Sequence, residues 1–258
     1  MVVRTRTLVW LEWFSAQLQQ ERAKVQVEAL QISIPILTRT QLAGMIDHTQ
    51  LKPEANREMI AQVCMEAHTY GFAAVCVNPV NVVYCRQLLV GSQVAICSVT
   101  GFPFGATRTR VKVFEARQGI KDGACEIDMV LNIGLLKDRE YGAAEQDITD
   151  VAKACHDEGA ILKVILETCL LTDEEKVAAC LLAQDAEADF VKTSTGLNGP
   201  GATVHDVALM RSVVRAEMGV KAAGGIRDTD TALAMVAAGA NRIGASASVK
   251  IIEGLPRT

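Results

Sequence analysis

From about residue 40 onward, short apolar, β-branched runs alternate with longer segments in which apolar residues recur at helical spacing. The short runs predict strands at Met45–His48, Ala73–Asn78, Val94–Thr100, Cys125–Asn132, Ile161–Glu167, Asp189–Thr193, Val220–Ala223 and Arg242–Ala245. The longer segments predict helices at Pro53–Tyr70, Pro79–Leu89, Thr107–Asp122, Asp138–Glu158, Thr172–Ala186, Thr203–Met218 and Thr229–Ala238. Boundary residues agree with this reading. Thr172-Asp173-Glu174-Glu175 is a capping-box pattern, Asp228 or Thr229 can cap the helix it precedes, and Gly71, Gly123, Gly159 and Gly239 stand where a helix hands over to a strand.

Eight strands alternating with helices, about 28 residues apart, predict a parallel sheet with right-handed crossovers, and eight such units close into a (β/α)8 TIM barrel over residues 41–258. An open doubly wound sheet is the alternative. Its glycine-rich fingerprint after the first strand is missing, since Ile46-Asp47-His48-Thr49 contains no glycine. Residues 1–40 stand outside the rhythm as an N-terminal extension, with a helix drawn from Trp10 to Leu30, an extended stretch at Ile32–Leu37 broken by Pro35, and a short helix from Thr38 to Gly44 at the barrel's bottom. The run around Leu8 to Phe14 follows Arg4 and Arg6 but is interrupted by Glu12. It reads as a non-targeting extension, with interfacial anchoring by Trp10 and Trp13 as the alternative.

Composition narrows the function classes. Of 258 residues, 50% are hydrophobic and only 4% aromatic, which suits helices packed closely on a sheet. A net charge of −4 with Lys and Arg spread along the chain argues against nucleic acid as a partner, and no run approaches the roughly 18 apolar residues of a membrane span. Eight cysteines without a C-x-x-C pair read as reduced thiols in a cytoplasmic protein. His48, His68, His156 and His205 lack metal-ligand spacing, and Gly196 to Gly201 lacks the Lys-Ser/Thr of a phosphate-binding P-loop, so neither a metal nor a cofactor is expected.

In a barrel, reacting side chains emerge at the carboxyl ends of strands. Six polar residues interrupt apolar strands there: Asp47, Asp128, Lys163, Glu167, Lys192 and Lys221. One lysine in a strand can be paired or point outward, but Lys163, Lys192 and Lys221 lie on three successive strands. Crowded ammonium groups in a partly dry site favour a neutral amine, which attacks carbonyls to form a Schiff base, and the protonated imine accepts electrons from an adjacent carbon–carbon bond. Asp128, flanked by apolar residues, can move the protons. Glu126 shares its face, and a salt bridge from Asp128 to Lys163 is compatible with that role. Glycine- and hydroxyl-rich loops follow strands six, seven and eight: Thr193-Ser194-Thr195-Gly196, Ala223-Gly224-Gly225-Ile226-Arg227 and Gly244-Ala245-Ser246. Backbone N–H groups in such loops can close on a phosphate.

These residues carry a resemblance to the deoxyribose-phosphate aldolase family. The similar stretches run in order through Ile46–Pro53, Val75–Pro79, Gly101–Gly105, Glu126–Val130, Leu162–Thr168, Phe190–Gly196, Val220–Arg227 and Arg242–Ser246. The resemblance implies metal-free, reversible cleavage of 2-deoxy-D-ribose 5-phosphate to acetaldehyde and glyceraldehyde 3-phosphate. By position it implies Lys192 as the Schiff-base lysine, Lys221 as the neighbour that lowers its pKa and takes part in proton transfer, Asp128 as proton donor and acceptor, directly or through water, and Lys163 as the residue that orients Asp128. It places Asp47, Thr49, Cys76 and Thr193 about the substrate and Gly196, Gly224, Gly225, Gly244 and Ser246 about its phosphate. For Cys76 the plain alternative is a buried, inert thiol. Some members carry a lysine directly after the Thr-Gly of the sixth loop where this chain has Leu197, which calls for backbone contacts or another cation. The expected partners are a sugar phosphate and an aldehyde, with a homodimer as the expected assembly. The competing readings are another lysine-dependent barrel lyase acting on a keto sugar phosphate or keto acid, and a catalytically silent phosphosugar-binding module.

Overall fold

The computed structural model describes residues 10, 12–20 and 33–256. Its strands are β1 (Ile46–Gln50), β2 (Ala74–Val77), β3 (Ala95–Thr100), β4 (Glu126–Val130), β5 (Ile161–Ile165), β6 (Phe190–Lys192), β7 (Gly219–Ala223) and β8 (Arg242–Ala245). All neighbours are parallel, and β8 pairs with β1, closing the sheet in sequence order. The chain is a (β/α)8 barrel.

Local chemistry explains where the helices depart from the pattern. The helix Arg57–Tyr70 starts four residues later than Pro53, because Asn56 caps it by accepting from the Met59 N–H (2.9 Å) while Lys52 to Ala55 form a turn. The segment from Pro79 to Leu89 divides into a 3-10 turn, Pro79–Asn81, and a helix, Val82–Leu88. A helix that the periodicity missed, Ile133–Lys137, is capped by Asn132 ahead of Tyr141–His156. Val204–Val213 stops five residues before Met218, where the Arg211 guanidinium turns back to bond the carbonyls of Val214 and Met218. Thr172 and Glu175 form the expected capping box, and Asp228 caps Thr229–Ala237.

The apolar residues separate into two groups. The large core lies between the sheet and the helices, where outward-facing Ile46, Val75, Ile127, Leu162, Val191, Val220 and Ile243 are covered. Inside the barrel the apolar group is small: Leu51, Ala74, Cys76, Cys97 and Val99, all contributed by β1 to β3 and their loops. The interior also holds charged side chains from β1 and β4 to β8, with Val130, Ile165 and Phe190 on the same faces. A buried pair, Lys112 with Asp147 at 2.6 Å, ties Thr109–Asp122 to Tyr141–His156 outside the sheet.

In the extension, residues 10 and 12–20 are helical. Trp10 stacks on Phe14 with ring centroids 5.2 Å apart, and Phe14 lies against Tyr141 at 5.0 Å. Trp10 is thus engaged by the protein itself. Leu11 and residues 21–32, including the second half of the expected Trp10–Leu30 helix, lie outside the described residues. Residues 33–37 have no regular structure, and Arg39–Ala43 forms the short helix before β1, with Thr38 as its cap. Arg39 fastens this helix to the carbonyls of Glu253 and Leu255 beyond the terminal helix Ser248–Glu253, which the sequence pattern had not indicated.

Candidate active site

The strand stagger sets the lysines at different depths. Lys163 pairs with Phe190 across β5 and β6, whereas Lys192 pairs with Ile165, so Lys192 stands two residues nearer the C-terminal rim. Asp128 is level with Lys163, and Lys192 with Lys221. All four side chains point inward and are buried.

Their polar atoms converge on Asp128. Its Oδ1 accepts from Lys163 Nζ (2.8 Å) and from the Cys97 thiol (3.1 Å), and its Oδ2 accepts from Lys192 Nζ (2.8 Å) and Lys221 Nζ (2.7 Å). A second carboxylate layer lies below. Asp47 accepts from Lys221 and from Arg242 (2.7 Å), while Glu126 pairs with Lys163 at 2.6 Å. The Arg242 guanidinium in turn lies over the Phe190 ring, 5.7 Å from its centroid. Gly244 leaves room for this side chain: a Cβ there would stand 3.0 Å from the Ala223 Cβ and 3.1 Å from the Lys221 Cε, so both neighbours would have to shift.

Burial raises the cost of the charges on Asp128, Asp47, Lys163 and Lys221, yet their partners outweigh it. For Asp128, burial pushes the carboxyl upward, but Lys163, Lys192 and Lys221 together hold it well below the usual carboxylate range. Burial of Asp47 is likewise overcome by Lys221, Lys163 and Arg242. Lys163 and Lys221 feel burial in the opposite sense, and Asp128 with its neighbouring carboxylates holds both above the ordinary lysine value. Crowding therefore does not make a neutral amine of Lys163 or Lys221: carboxylates from β1 and β4 keep both as ammonium ions.

A cavity of about 370 Å³ opens above this network at the carboxyl ends of β1 and β6 to β8. Of the strand lysines, Lys192 alone lines it, together with Thr49, Gly196, Gly224, Gly225, Gly244 and Ser246. Lys163, Lys221, Asp128, Asp47 and Cys76 lie beneath or beside its floor, outside the lining. Asp47, expected about the substrate, therefore serves as the partner of Lys221 and Arg242. Thr193 is a latch between β6 and β7, its hydroxyl donating to the Ala223 carbonyl (3.1 Å) and accepting from the Ala223 N–H (3.0 Å). Cys76 is fully buried opposite Cys97 in the β2–β3 register. The sulfurs of both lie within 4.8 Å of an Asp128 oxygen, but the ammonium groups on Asp128 stand where a metal ion would bind and would repel it. A larger groove of about 860 Å³ on the barrel's flank is lined by Arg108, Arg110, Arg117 and Lys153. It carries no lysine–carboxylate network, so its size does not make it the reactive site.

The glycine loops have the backbone that an anion needs. Gly196, Gly224 and Gly225 have φ of 84°, 85° and 78°, a region that side chains disfavour, and Gly224 also lies too close to Gly201 to admit a Cβ. Glu167 supports the first of these loops. Its carboxylate accepts from the Thr195 N–H (3.1 Å), the Thr195 hydroxyl and the Asn198 amide (2.9 Å), and Asn198 also reaches the Pro103 carbonyl (3.2 Å). Glu167 itself sits at φ 59°, strained for a residue with a side chain.

Sequence reasoning singled out Glu167 without a role and missed Arg242, Cys97 as a partner of Asp128, and the two rim cations Lys52 and Arg227 that line the cavity. The inward parity of Arg242 and Cys97 on their strands was the available signal, since residues two apart share a face.

A profile of the DeoC/LacD family of aldolases matches residues 42–254. The chain is 57% identical over 222 residues to a deoxyribose-phosphate aldolase of Thermococcus kodakarensis, covering 85% of this chain and 99% of that one. It is 58% identical to deoxyribose-phosphate aldolase 1 of Bacillus licheniformis, covering 83% and 96%. Among solved structures, the tetrameric deoxyribose phosphate aldolase of Aeropyrum pernix superposes with a TM-score of 0.79 at 34% identity, covering 92% of this chain and 95% of that one.

Proposed function

The chain belongs to the DeoC/LacD family of aldolases, and from that premise we propose that it cleaves 2-deoxy-D-ribose 5-phosphate reversibly to acetaldehyde and glyceraldehyde 3-phosphate through a Schiff base on Lys192. One observation carries the assignment of the lysine: Lys192 alone of the three strand lysines lines the cavity, with Nζ 2.8 Å from Asp128.

In this mechanism the Lys192 amine attacks C1 of the open-chain sugar, and loss of water leaves a protonated imine. Removal of the C3 hydroxyl proton lets the C2–C3 bond break, its electron pair passing into the imine to give an enamine while C3 becomes the aldehyde of glyceraldehyde 3-phosphate. Protonation at C2 and addition of one water release acetaldehyde and restore Lys192, so water is conserved over the cycle. Asp128, directly or through water, takes and returns the protons, and Lys163 and Lys221 hold its carboxylate in place. Thr49, at the cavity wall with its hydroxyl bonded to the Asp47 carbonyl, faces the sugar, and the loops at Gly196, Gly224, Gly225, Gly244 and Ser246 take the phosphate.

Eight free cysteines support a reducing, cytoplasmic setting, and among the described residues no helix is long and apolar enough to cross a membrane. A homodimer is the proposed assembly, compatible with a tetramer built from paired dimers such as symmetric oligomers commonly form. Light scattering on the purified protein distinguishes the two.

The central test is chemical trapping. Incubation with acetaldehyde and borohydride is expected to add a reduced two-carbon adduct to the peptide bearing Lys192, and Lys192→Ala to abolish both adduct and turnover. An adduct on Lys163 or Lys221, or none with a turning-over enzyme, overturns the assignment.

A further inference from the structure

We infer that Lys52 is the residue that binds the substrate phosphate through a side-chain ammonium, supplying the charge that the loop after β6 lacks. The inference rests on the functional reading above and deepens it.

A phosphate ester near neutral pH carries between one and two negative charges, and backbone N–H groups alone leave much of that charge uncompensated. The loop after β6 contributes Gly196 and then Leu197, apolar and exposed at the cavity wall. The loops after β6, β7 and β8 bring Gly196, Gly224, Gly225 and Gly244 to the cavity wall. In the closed barrel the next strand beyond β8 is β1, and the residues that complete the cavity there are Thr49 to Lys52. Lys52 is the cation on the β1 side of the cavity.

Its surroundings leave it available. The Lys52 N–H donates to Gln50 Oε1 (3.3 Å), its carbonyl accepts from the Ala55 N–H (3.1 Å), and Pro53 follows, so the backbone is fixed by the turn. Among the described residues its ammonium group has no carboxylate partner and no hydrogen bond, unlike the three strand lysines. An unspent, hydrated point charge on a flexible stem suits an anion that must enter and leave at each turnover. Arg227 lines the cavity from the β7 loop and lies on the glycine side; it leaves the β1 side to Lys52.

The experiment compares two substrates. Lys52→Ala is expected to raise KM for 2-deoxyribose 5-phosphate roughly 10- to 100-fold, the effect of one charge-assisted hydrogen bond, with kcat nearly unchanged. The same variant should match the parent on unphosphorylated 2-deoxyribose, Lys52→Arg should keep most of the affinity, and Leu197→Lys should restore KM in the Lys52→Ala background. An unchanged KM, or an equal loss on both substrates, overturns the inference. Calorimetric titration with inorganic phosphate reads Lys52 independently of turnover: weaker binding by Lys52→Ala supports the inference, and equal binding overturns it. A parent enzyme without turnover on the phosphorylated sugar instead overturns the functional reading.

Discussion

Lys192 and Lys221 donate to the same oxygen of Asp128, at 2.8 and 2.7 Å, from adjacent strands whose backbones pair at those two residues. One carboxylate oxygen thus joins the lysine that lines the cavity to its neighbour on the next strand. A proton leaving Lys192 has an acceptor in place, and the acceptor keeps a fixed positive neighbour throughout.

Asp128→Asn removes the negative charge that three buried ammonium groups share. We expect a stability loss of about 3–5 kcal/mol, characteristic of breaking a buried ion pair from one side, and a fall in turnover of roughly 100-fold or more. Urea unfolding and acetaldehyde release measure the two effects. A variant as stable as the parent would contradict the assigned network. The pH dependence has a definite sign. The depressed carboxyls contribute stability that is present above about pH 4 and is lost only as pH falls through their low folded values, and the elevated lysines contribute stability present below about pH 10 and lost above it. The network therefore supports the fold across the whole neutral range.

Lys221→Leu removes an ammonium that the carboxylates keep charged. Lys221 is one of three ammonium groups that hold the Asp128 carboxyl well below the usual range, so its loss should raise that carboxyl and lower activity at pH 7, most strongly toward the acid end of the pH range. A pH–rate profile checks this, and full activity at pH 7 would remove Lys221 from the mechanism.

Glu167→Gln keeps the shape but replaces one acceptor oxygen with a donor that cannot accept from Thr195 or Asn198. The loop carrying Gly196 should loosen, raising KM for the phosphorylated sugar about tenfold, with less effect on an unphosphorylated one. Steady-state kinetics on both substrates provide the check.

Asp185→Asn bears on stability alone. Asp185 ends the helix Asp173–Asp185, one carboxylate oxygen is buried without a partner among the described residues, and burial aided by Glu145 raises its carboxyl to about 6. A carboxyl raised on folding contributes stability present below about pH 4 and lost as pH rises through 6. The variant should therefore match the parent near pH 4 and exceed it at pH 8 by about 1 kcal/mol, the half-buried carboxyl being partly screened by solvent, measured by thermal melts at both values.

Much of the site was legible because each strand announces its own polar interruption. Lys163, Lys192, Lys221 and Asp128 each break an apolar run, and period-two alternation turns them inward. The glycine loops were legible for a similar reason, since a turn that needs positive φ is written in one or two adjacent residues. Arg242 and Lys52 were not, because an arginine opening a strand and a lysine in a turn look the same whether they face solvent or a site.

The order of eight βα units, the inward faces and the residue types available for lysine chemistry are properties of neighbours along the chain and could be read from it directly. Pairing across the closed sheet was needed to see that Lys192 lines the cavity while Lys163 and Lys221 do not, that Asp47 serves Lys221 and Arg242 instead of the cavity wall, and that Glu167 supports a loop 28 residues away. Those facts follow from the stagger of strands in a closed barrel, which sets the height of each side chain against partners on other strands, and no single strand encodes that height.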